Sequence, residues 1–366
     1  MKIFHDGAVF LNKAQGDINN LFVEIISRLP AGANKTEIYL HRFPETFDKT
    51  FLKREYFALP AIGNALMLYD CLILKRKISK FQPDIYHTTY YRIPENTGCL
   101  NVITVCEMER EIYPDGPLSP QGKEFLKMKR NGIEKADRII AVSGSVRRDI
   151  TRIYGIDPEK ISVVYPGISE IFKPATDIEK QLFVSKYNLS LNFILYSGQR
   201  SGHKNFEVLL RAFSKWGHRD EFELICVGPQ WDDYEIEMIN SLKLSPNVRL
   251  INFTESNGLK IFYSLASVFI YPSKYESFGA PLLEAMACGT PIIAASSSSI
   301  PETAANAAQY FEPDSADELI AALDRVTEDE KLRRGMREKG LKRSSSFSWN
   351  NTARETYEVY QKLMHG

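Results

Sequence analysis

The chain has 366 residues, enough for about two domains of ordinary size, each with its own core. Its 46 basic and 46 acidic side chains cancel, which gives no global attraction to nucleic acid, and 44% hydrophobic with 25% charged residues is the composition of a soluble globular protein. Cys71, Cys99, Cys106, Cys226 and Cys288 form no C-x2-C pair and the histidines no H-E-x-x-H or H-x3-H spacing, which points to a reducing compartment and to no structural metal. No uninterrupted apolar run approaches the roughly 18 residues of a membrane span. The start, MKIFHDGAVF, lacks a long apolar region and reads as a first strand rather than a secretory leader.

Lys2–His5 is the expected first strand. Gly16–Leu29 places Ile18, Leu21, Phe22, Ile25, Ile26 and Leu29 at the helix period behind a glycine turn. A strand, loop and helix at the start of a doubly wound domain put the loop, with Gly16 and Asp17, at the carboxyl edge of the sheet, where ligands bind. Asp17 reads equally as an N-cap. Strands are expected at Glu37–His41 and Asp84–His87, with a helix over Ala61–Lys80 between them. That helix ends in LKRKISK, and Gln121–Arg138, with Lys123, Lys127, Lys129, Arg130 and Lys135, repeats the apolar-basic pattern. Such clusters are usually solvated faces, with a membrane-facing patch as the alternative. His87 ends one strand and Cys106 and Glu107 end another, Asn101–Val105, so both ends fall at the ligand edge. Arg138–Val142 is a buried strand, Ser143 opens a helix to Tyr154, and Ile161–Val164 with Tyr165, Pro166 and Gly167 closes the first domain near residue 170.

The second domain opens on Phe193–Ser197. In GQRSGHKNFEVLLRAF the residues Phe206, Leu209, Leu210 and Phe213 have the helix period, so Gly198–Asn205 is a loop at a strand end and carries Arg200 and Lys204. Two loop cations facing a helix N-terminus can neutralise a diphosphate without a metal; taken alone, the pair reads as surface charge. Strands Phe222–Val227 and Val248–Ile251 follow, the latter leading into a loop, Asn252–Gly258. Next comes VFIYPSKYESFGAPLLEAMACGTPIIA, Val268–Ala294: a strand over Ser267–Tyr271, turn chemistry from Pro272 to Ala280, and a compact helix over Pro281–Cys288 stopped by Gly289 and Pro291. Proline at the first helical position leaves the amides around Phe278, Gly279 and Ala280 pointing out of the helix N-terminus, where anions bind. Glu276 precedes this helix and Glu284 follows eight positions later, within about its first turn; alone, such a pair also suits the helix dipole or a solvated loop. Ser296–Glu302 form a small-residue turn, Ala308–Phe311 a last strand, and helices are expected over Ala316–Val326, Asp329–Leu341 and Thr352–Met364.

The segment Val268–Ala294, with Glu276 and Glu284 in the motif positions, resembles the E-x7-E signature of the retaining glycosyltransferases of family four. The likeness covers nearly the whole chain and is strongest from Ile194 to Asp314. It implies an α/β GT-B fold of two Rossmann-like doubly wound domains facing across a cleft. The first would span residues 1–170 and recover about 350–366 through a crossing C-terminal helix; the second would span 171–349. The resemblance gives Glu276 the donor sugar and Glu284 the ribose hydroxyls, with Ser277, Phe278, Gly279, Ala280 and Gly198 also on the donor. It gives Arg200 and Lys204, which match a G-x-R-x-x-x-K-N variant, the diphosphate. Two departures stand out. Relatives carry Gly-Gly followed by Ile-Ser-Arg where this chain has Gly16, Asp17, Ile18, Asn19 and Asn20, so a carboxylate at Asp17 would meet sugar hydroxyls instead of phosphates. Relatives also end the second of these strands in His-Asp, where this chain has Cys106 and Glu107. Either His87 takes over part of the polar work there, or the sugar contact differs, or activity is impaired.

The activity implied is transfer of mannose or a similar hexose, with retention, from a nucleoside diphosphate sugar to a hydroxyl of a glycan or lipid-linked acceptor. No cofactor and no metal are expected, and the setting is bacterial surface polysaccharide synthesis in the cytoplasm, peripheral on the inner face of the membrane. The departures at Asp17 and Cys106 keep one alternative open, a nucleotide-sugar-binding partner subunit without turnover; the other, a GT-B sugar-nucleotide epimerase, fits the signature segment less well than a transferase does.

Overall fold

Strands covered on both faces have no polar side to alternate with, so runs such as ILYS and VFIY mark parallel sheets with helices above and below. The computed structural model describes residues 1–11, 17–30, 35–38, 74–96, 98–114, 118–190, 192–252 and 256–365. They fold as two units, Met1–Gly167 with Trp349–Gly366, and Ile168–Ser348.

The first unit runs β1 (Lys2–His5), α1 (Asp17–Arg28), β2 (Lys35–Ile38), a helix α2 (74–81), β3 (Ile85–Thr88), β4 (Leu100–Val105), α3 (Glu109–Ile112), α4 (Pro120–Lys135), β5 (Arg138–Ala141), α5 (Gly144–Tyr154) and β6 (Ile161–Val163). Its sheet is parallel throughout, in the order β2-β1-β3-β4-β5-β6. Leu21, Phe22, Ile25 and Ile26 of α1 are buried, as their spacing predicts. Ser143 caps α5 by accepting from the Val146 amide, and Gly155, at φ 67°, stops it. The expected extensions of β2 to His41 and of α2 back to Ala61 fall in residues 39–73, outside the described residues.

The expectation of a solvated basic face on α4 is corrected at one residue. Lys129 does not belong to a solvated basic face: it is fully buried, its ammonium bonds the Glu107 carbonyl and lies 2.6 Å from Glu111 Oε1, and it sits over the Tyr91 ring. Lys123, Lys127, Arg130 and Lys135 of α4 stay exposed. In α2, Leu74 and Ile78 are buried while Lys75, Arg76 and Lys80 are exposed, the ordinary pattern of an amphipathic surface helix.

The second unit runs α6 (Asp177–Tyr187), β7 (Phe193–Ser197), α7 (Phe206–Lys215), β8 (Glu223–Val227), α8 (Asp233–Ser241), β9 (Val248–Ile251), α9 (Ser256–Leu265), β10 (Val268–Tyr271), α10 (Ala280–Ala287), β11 (Ile292–Ala295), α11 (Ile300–Ala304), β12 (Ala308–Phe311), α12 (Ala316–Glu328) and α13 (Glu330–Ser344). Its strands are again parallel, in the order β12-β11-β10-β7-β8-β9. Helix α9 begins at Ser256, where the sequence suggested that a loop continues to Gly258. Sequence periodicity does not mark α6, α8, α9, α11 or β11. In α6, Ile178 and Leu182 are 71% and 69% exposed and only Phe183 is buried, and α8 likewise exposes Tyr234 and Ile236, so neither shows a clean apolar stripe. Capping boxes start both helices instead, Thr176 with Glu179 and Asp232 with Glu235.

The last helix, α14 (Trp349–His365), belongs to the first unit. Thr352, Ala353, Thr356, Val359 and Tyr360 form its buried face, and Asn350 Oδ1 accepts from Arg28 Nε of α1 at 3.1 Å. Tyr360 reaches the strand core, where its hydroxyl lies 2.6 Å from His87 Nδ1. The rings of His5 and His87 are 5.3 Å apart on neighbouring strands. Burial lowers the His5 pKa from 6.5 to about 4, opposed by the Asp6 charge, and lowers His87 well below its ordinary value, with His5 adding to the effect. Both rings are therefore neutral in the fold, whereas in the unfolded chain they take a proton below about pH 6.5. A lowered folded-state pKa means that the unfolded state binds more protons in that window. Stability is thus fully present above pH 6.5 and falls as the pH drops towards 4, by on the order of 3 kcal/mol from His5. Urea midpoints measured from pH 7.5 to 4.5 should fall accordingly; a constant midpoint would mean that these imidazoles are solvated.

Candidate functional site

In the second unit the chain starts at the centre of the sheet and reverses direction of travel between β7 and β10. The loops leaving these adjacent strands diverge there, and in open parallel sheets this reversal is where ligands bind. The first loop, Gly198–Asn205, holds a 3-10 turn over Gly202–Lys204 and delivers the chain to α7. Asn205 takes a left-handed φ of 55°, a conformation that asparagine tolerates better than most residues. Its Nδ2 donates to the carbonyls of Pro272 at 3.0 Å and Pro313 at 2.6 Å, and the Lys274 amide donates to the His203 carbonyl at 2.7 Å. The two loops are therefore stitched together along the backbone.

That stitching brings Lys204 and Glu276 into contact, Nζ to Oε1 at 2.8 Å, with 22% of the lysine side chain and 7% of the glutamate side chain exposed. The backbone of Glu276 is clamped on both sides. Its amide donates to Ser298 Oγ and its carbonyl accepts from Ser299 Oγ, both at 2.8 Å. The Tyr271 phenol bonds its carboxylate and is held well above its ordinary pKa, first by burial and then by the Glu276 charge. Thr303 Oγ1 holds the Phe278 carbonyl at 2.5 Å, so the turn after β11 clamps the whole segment from Glu276 to Phe278. These serine contacts fix the backbone of Glu276, while its carboxylate, bonded to Lys204 and Tyr271, keeps lone pairs for a ligand.

Gly279 then turns the chain into α10 at φ 88°, and a Cβ there would lie 3.1 Å from Leu282 Cδ1, so the position is strained for any other residue. The helix starts at Ala280, one residue before the expected Pro281, and Gly279 caps it without a side-chain bond. Ala280 is partly exposed, so its amide stands at the positive end of the helix. Glu284 lies one turn further on, partly exposed, with Oε2 accepting from the Tyr263 hydroxyl at 3.2 Å. Ser277 and Phe278 are buried beneath this turn, and Gly198 is exposed at the end of β7.

Arg200 is placed differently from the expectation of a loop cation open to a ligand. Its guanidinium is bound twice by Glu235, Nε to Oε1 at 2.6 Å and Nη2 to Oε2 at 3.0 Å, and it stacks on Trp231 at 4.4 Å. Nη2 also donates to the Pro229 and Gln230 carbonyls at 2.8 and 2.9 Å. The charge is compensated and only 3% of the side chain is exposed. Nη1 is the one guanidinium nitrogen left without a bond, beside Gly228, where a Cβ would meet the Gly198 carbonyl at 2.5 Å.

In the first unit, His87 is likewise corrected from a polar group beside a sugar to a core residue. It is 0% exposed, with Nε2 2.9 Å from Thr104 Oγ1 and Nδ1 on Tyr360, so it joins β3 to β4 and α14. Cys106 and Glu107 are partly exposed beyond β4, and the buried Lys129 holds the Glu107 carbonyl. Gly16 lies outside the described residues, and of Asp17 only the backbone is described, as the first residue of α1. Sequence reasoning passed over Asp6, which accepts from Tyr86 Oη at 2.8 Å, Thr88 Oγ1 at 2.9 Å and the Thr89 amide at 2.9 Å. It also passed over Tyr263, Tyr271, Glu235, Ser298 and Ser299. Asn205 alone carried a signal, as the last residue of K-N in the loop.

Two family models match the chain, one described as glycosyl transferases group 1 over residues 177–343 and one as glycosyltransferase family 4 over residues 18–170. The chain is 28% identical over 284 residues to O-antigen chain mannosyltransferase B of Escherichia coli, covering 76% of this chain and 74% of that protein. It is 29% identical over 263 residues to O-antigen chain mannosyltransferase RfbU of Salmonella typhimurium, covering 71% and 69%. Among solved structures, HepE of Anabaena in complex with UDP superposes with a TM-score of 0.75 at 15% identity, over 99% of each chain.

Proposed function

The chain belongs to the group 1 glycosyltransferases of family 4 type, and on that premise we propose that it transfers mannose or a similar hexose from a nucleoside diphosphate sugar to a hydroxyl of a glycan or lipid-linked acceptor. Its fold is GT-B, built of two doubly wound parallel α/β units. The two O-antigen mannosyltransferases support mannose and a place in bacterial surface polysaccharide synthesis. No helix among the described residues is long and apolar enough to cross a membrane. We place the enzyme in the cytoplasm and peripheral to the inner face of the membrane, where a lipid-linked acceptor would be met.

The observation that carries this reading is the Lys204–Glu276 pair beside the N-terminus of α10. Lys204 is the cation with access to solvent, so it takes the diphosphate, and the amide end of α10 shares the charge. Glu276 then turns from Lys204 to the hydroxyls of the donor sugar, and Glu284 takes the ribose. Arg200, already neutralised by Glu235, shapes the loop that carries Lys204. The acceptor oxygen attacks the anomeric carbon from the face of the leaving group as the bond to the β-phosphate oxygen breaks. Its proton passes to that departing oxygen, and the configuration is retained.

Thermal stabilisation by GDP-mannose, UDP-glucose and dTDP-glucose tests donor binding, since a ligand at 100 times its dissociation constant adds about 2.7 kcal/mol. No stabilisation by any of the three would end this reading; stabilisation without transfer or slow hydrolysis would favour a non-catalytic partner subunit. Lys204→Ala should weaken nucleoside diphosphate binding by about 1.5–3 kcal/mol, the worth of a hydrogen bond to a charged group. Unchanged affinity would place the diphosphate elsewhere. Transfer should also survive EDTA: among the described residues the group able to offer three metal ligands is His218, Asp324 and Glu328, none of which lies on the loops of Lys204 and Glu276. A loss of more than about tenfold, or 1.4 kcal/mol of barrier, restored by Mn²⁺ would overturn the metal-free scheme.

A further inference from the structure

Glu284 does not hold its position alone. Its Oε2 accepts from the Tyr263 hydroxyl at 3.2 Å, and that hydroxyl lies 2.9 Å from Ser197 Oγ, at the end of β7. A carboxylate only accepts, and a phenol has one proton to give, so the direction of the chain is fixed: Ser197 donates to Tyr263, and Tyr263 donates to Glu284. Tyr263 is fully buried, its ring edge-on to Phe269 at 5.2 Å and to Phe172 at 6.2 Å, and its backbone carbonyl accepts from Thr290 Oγ1 at 2.6 Å. A tyrosine this confined cannot follow a mobile glutamate; it sets where the glutamate can be. Glu284 is thereby referred to the carboxyl end of β7, the strand at which the sheet order reverses, instead of swinging from the exposed side of α10.

We propose that Tyr263, anchored by Ser197, is a positioning residue that holds the Glu284 carboxylate for the two ribose hydroxyls of the nucleotide and so makes the site selective for ribose over deoxyribose. The inference rests on the ribose role given to Glu284 above and adds the residues that confer the selectivity. A group held at fixed geometry by a buried hydrogen-bond partner discriminates against a ligand that lacks the matching hydroxyl more strongly than a mobile group does.

Dissociation constants of GDP and 2′,3′-dideoxy-GDP, and of UDP and 2′,3′-dideoxy-UDP, measured by calorimetry on the full chain, separate the two levels of the claim. The wild type should prefer the ribose form of whichever nucleotide it binds by about tenfold, the lower end for a hydrogen bond to a charged group. Tyr263→Phe keeps the packed ring and should narrow that preference to about twofold by weakening the ribose form alone; Ser197→Ala should narrow it partly, with melting temperatures confirming both folds. A wild type without any preference removes the ribose role of Glu284, and this inference with it. A wild-type preference that persists in Tyr263→Phe overturns the inference and leaves the ribose role standing. Equal weakening of both forms would also overturn it, because a merely structural tyrosine would act that way.

Discussion

Replacing Glu276 by glutamine should lower transfer about a hundredfold or more, the usual loss when one preorganised polar group is removed from a transition state, while a nucleoside diphosphate without sugar binds at least as tightly as before. The two halves of this result come from one contact. In the unliganded site Lys204 spends its charge on Glu276 at 2.8 Å, so a diphosphate must compete with a carboxylate for the same ammonium. Glutamine keeps the shape, the carbonyl acceptor and the clamp from Ser298 and Ser299, but removes the competing charge. The nucleotide part of the donor gains, and the sugar loses the group that orients it. Initial rates with the donor sugar, set beside calorimetric binding of the diphosphate alone, check both arms. Near-normal turnover in this variant would remove the central role of Glu276. Weaker diphosphate binding would show that the pair does not open when the donor enters.

Arg200→Ala should cost on the order of 3–5 kcal/mol of stability, the range for removing one partner of a buried ion pair. The guanidinium is 3% exposed and closes a set of contacts that no smaller side chain can replace: both oxygens of Glu235, two backbone carbonyls and the face of Trp231. Removing it leaves Glu235, itself the capping-box residue of α8, with a carboxylate in a site 11% exposed. A melting temperature lower by roughly 10 °C is the expected readout. Removing the glutamate as well, in Arg200→Ala/Glu235→Ala, should restore part of the loss, because it takes away the unpaired charge. A double variant less stable than the single one by the full cost of a second lesion would show that the two residues are not coupled. If Arg200→Ala folded as well as the parent, the guanidinium would be open to a ligand after all.

The pattern of this chain made its elements legible because the interactions that define them are local. Lys2–His5, Phe193–Ser197, Val248–Ile251 and Ala308–Phe311 are strands with the bounds read from their apolar runs, and α1, α7, α12, α13 and α14 follow from helix periodicity and caps. The loops that carry Lys204 and Glu276 were legible for the same reason, since turn residues between a strand run and a helix period leave few alternatives. Charge partners were not. Lys204 and Glu276 are 72 positions apart and Arg200 and Glu235 are 35 apart, and which cation meets which carboxylate follows from β10 lying beside β7 on one side and β8 on the other. Read as residues on a loop, Arg200 and Lys204 look alike; the sheet order buries the first against α8 and leaves the second at the edge. His87 and Lys129 show the same limit. A histidine at a strand end and a lysine on an amphipathic helix both look accessible until α14 covers the one and the segment from Glu107 to Glu111 closes over the other. Burial and pairing depend on contacts between distant segments, and periodicity within a window of residues carries no record of them.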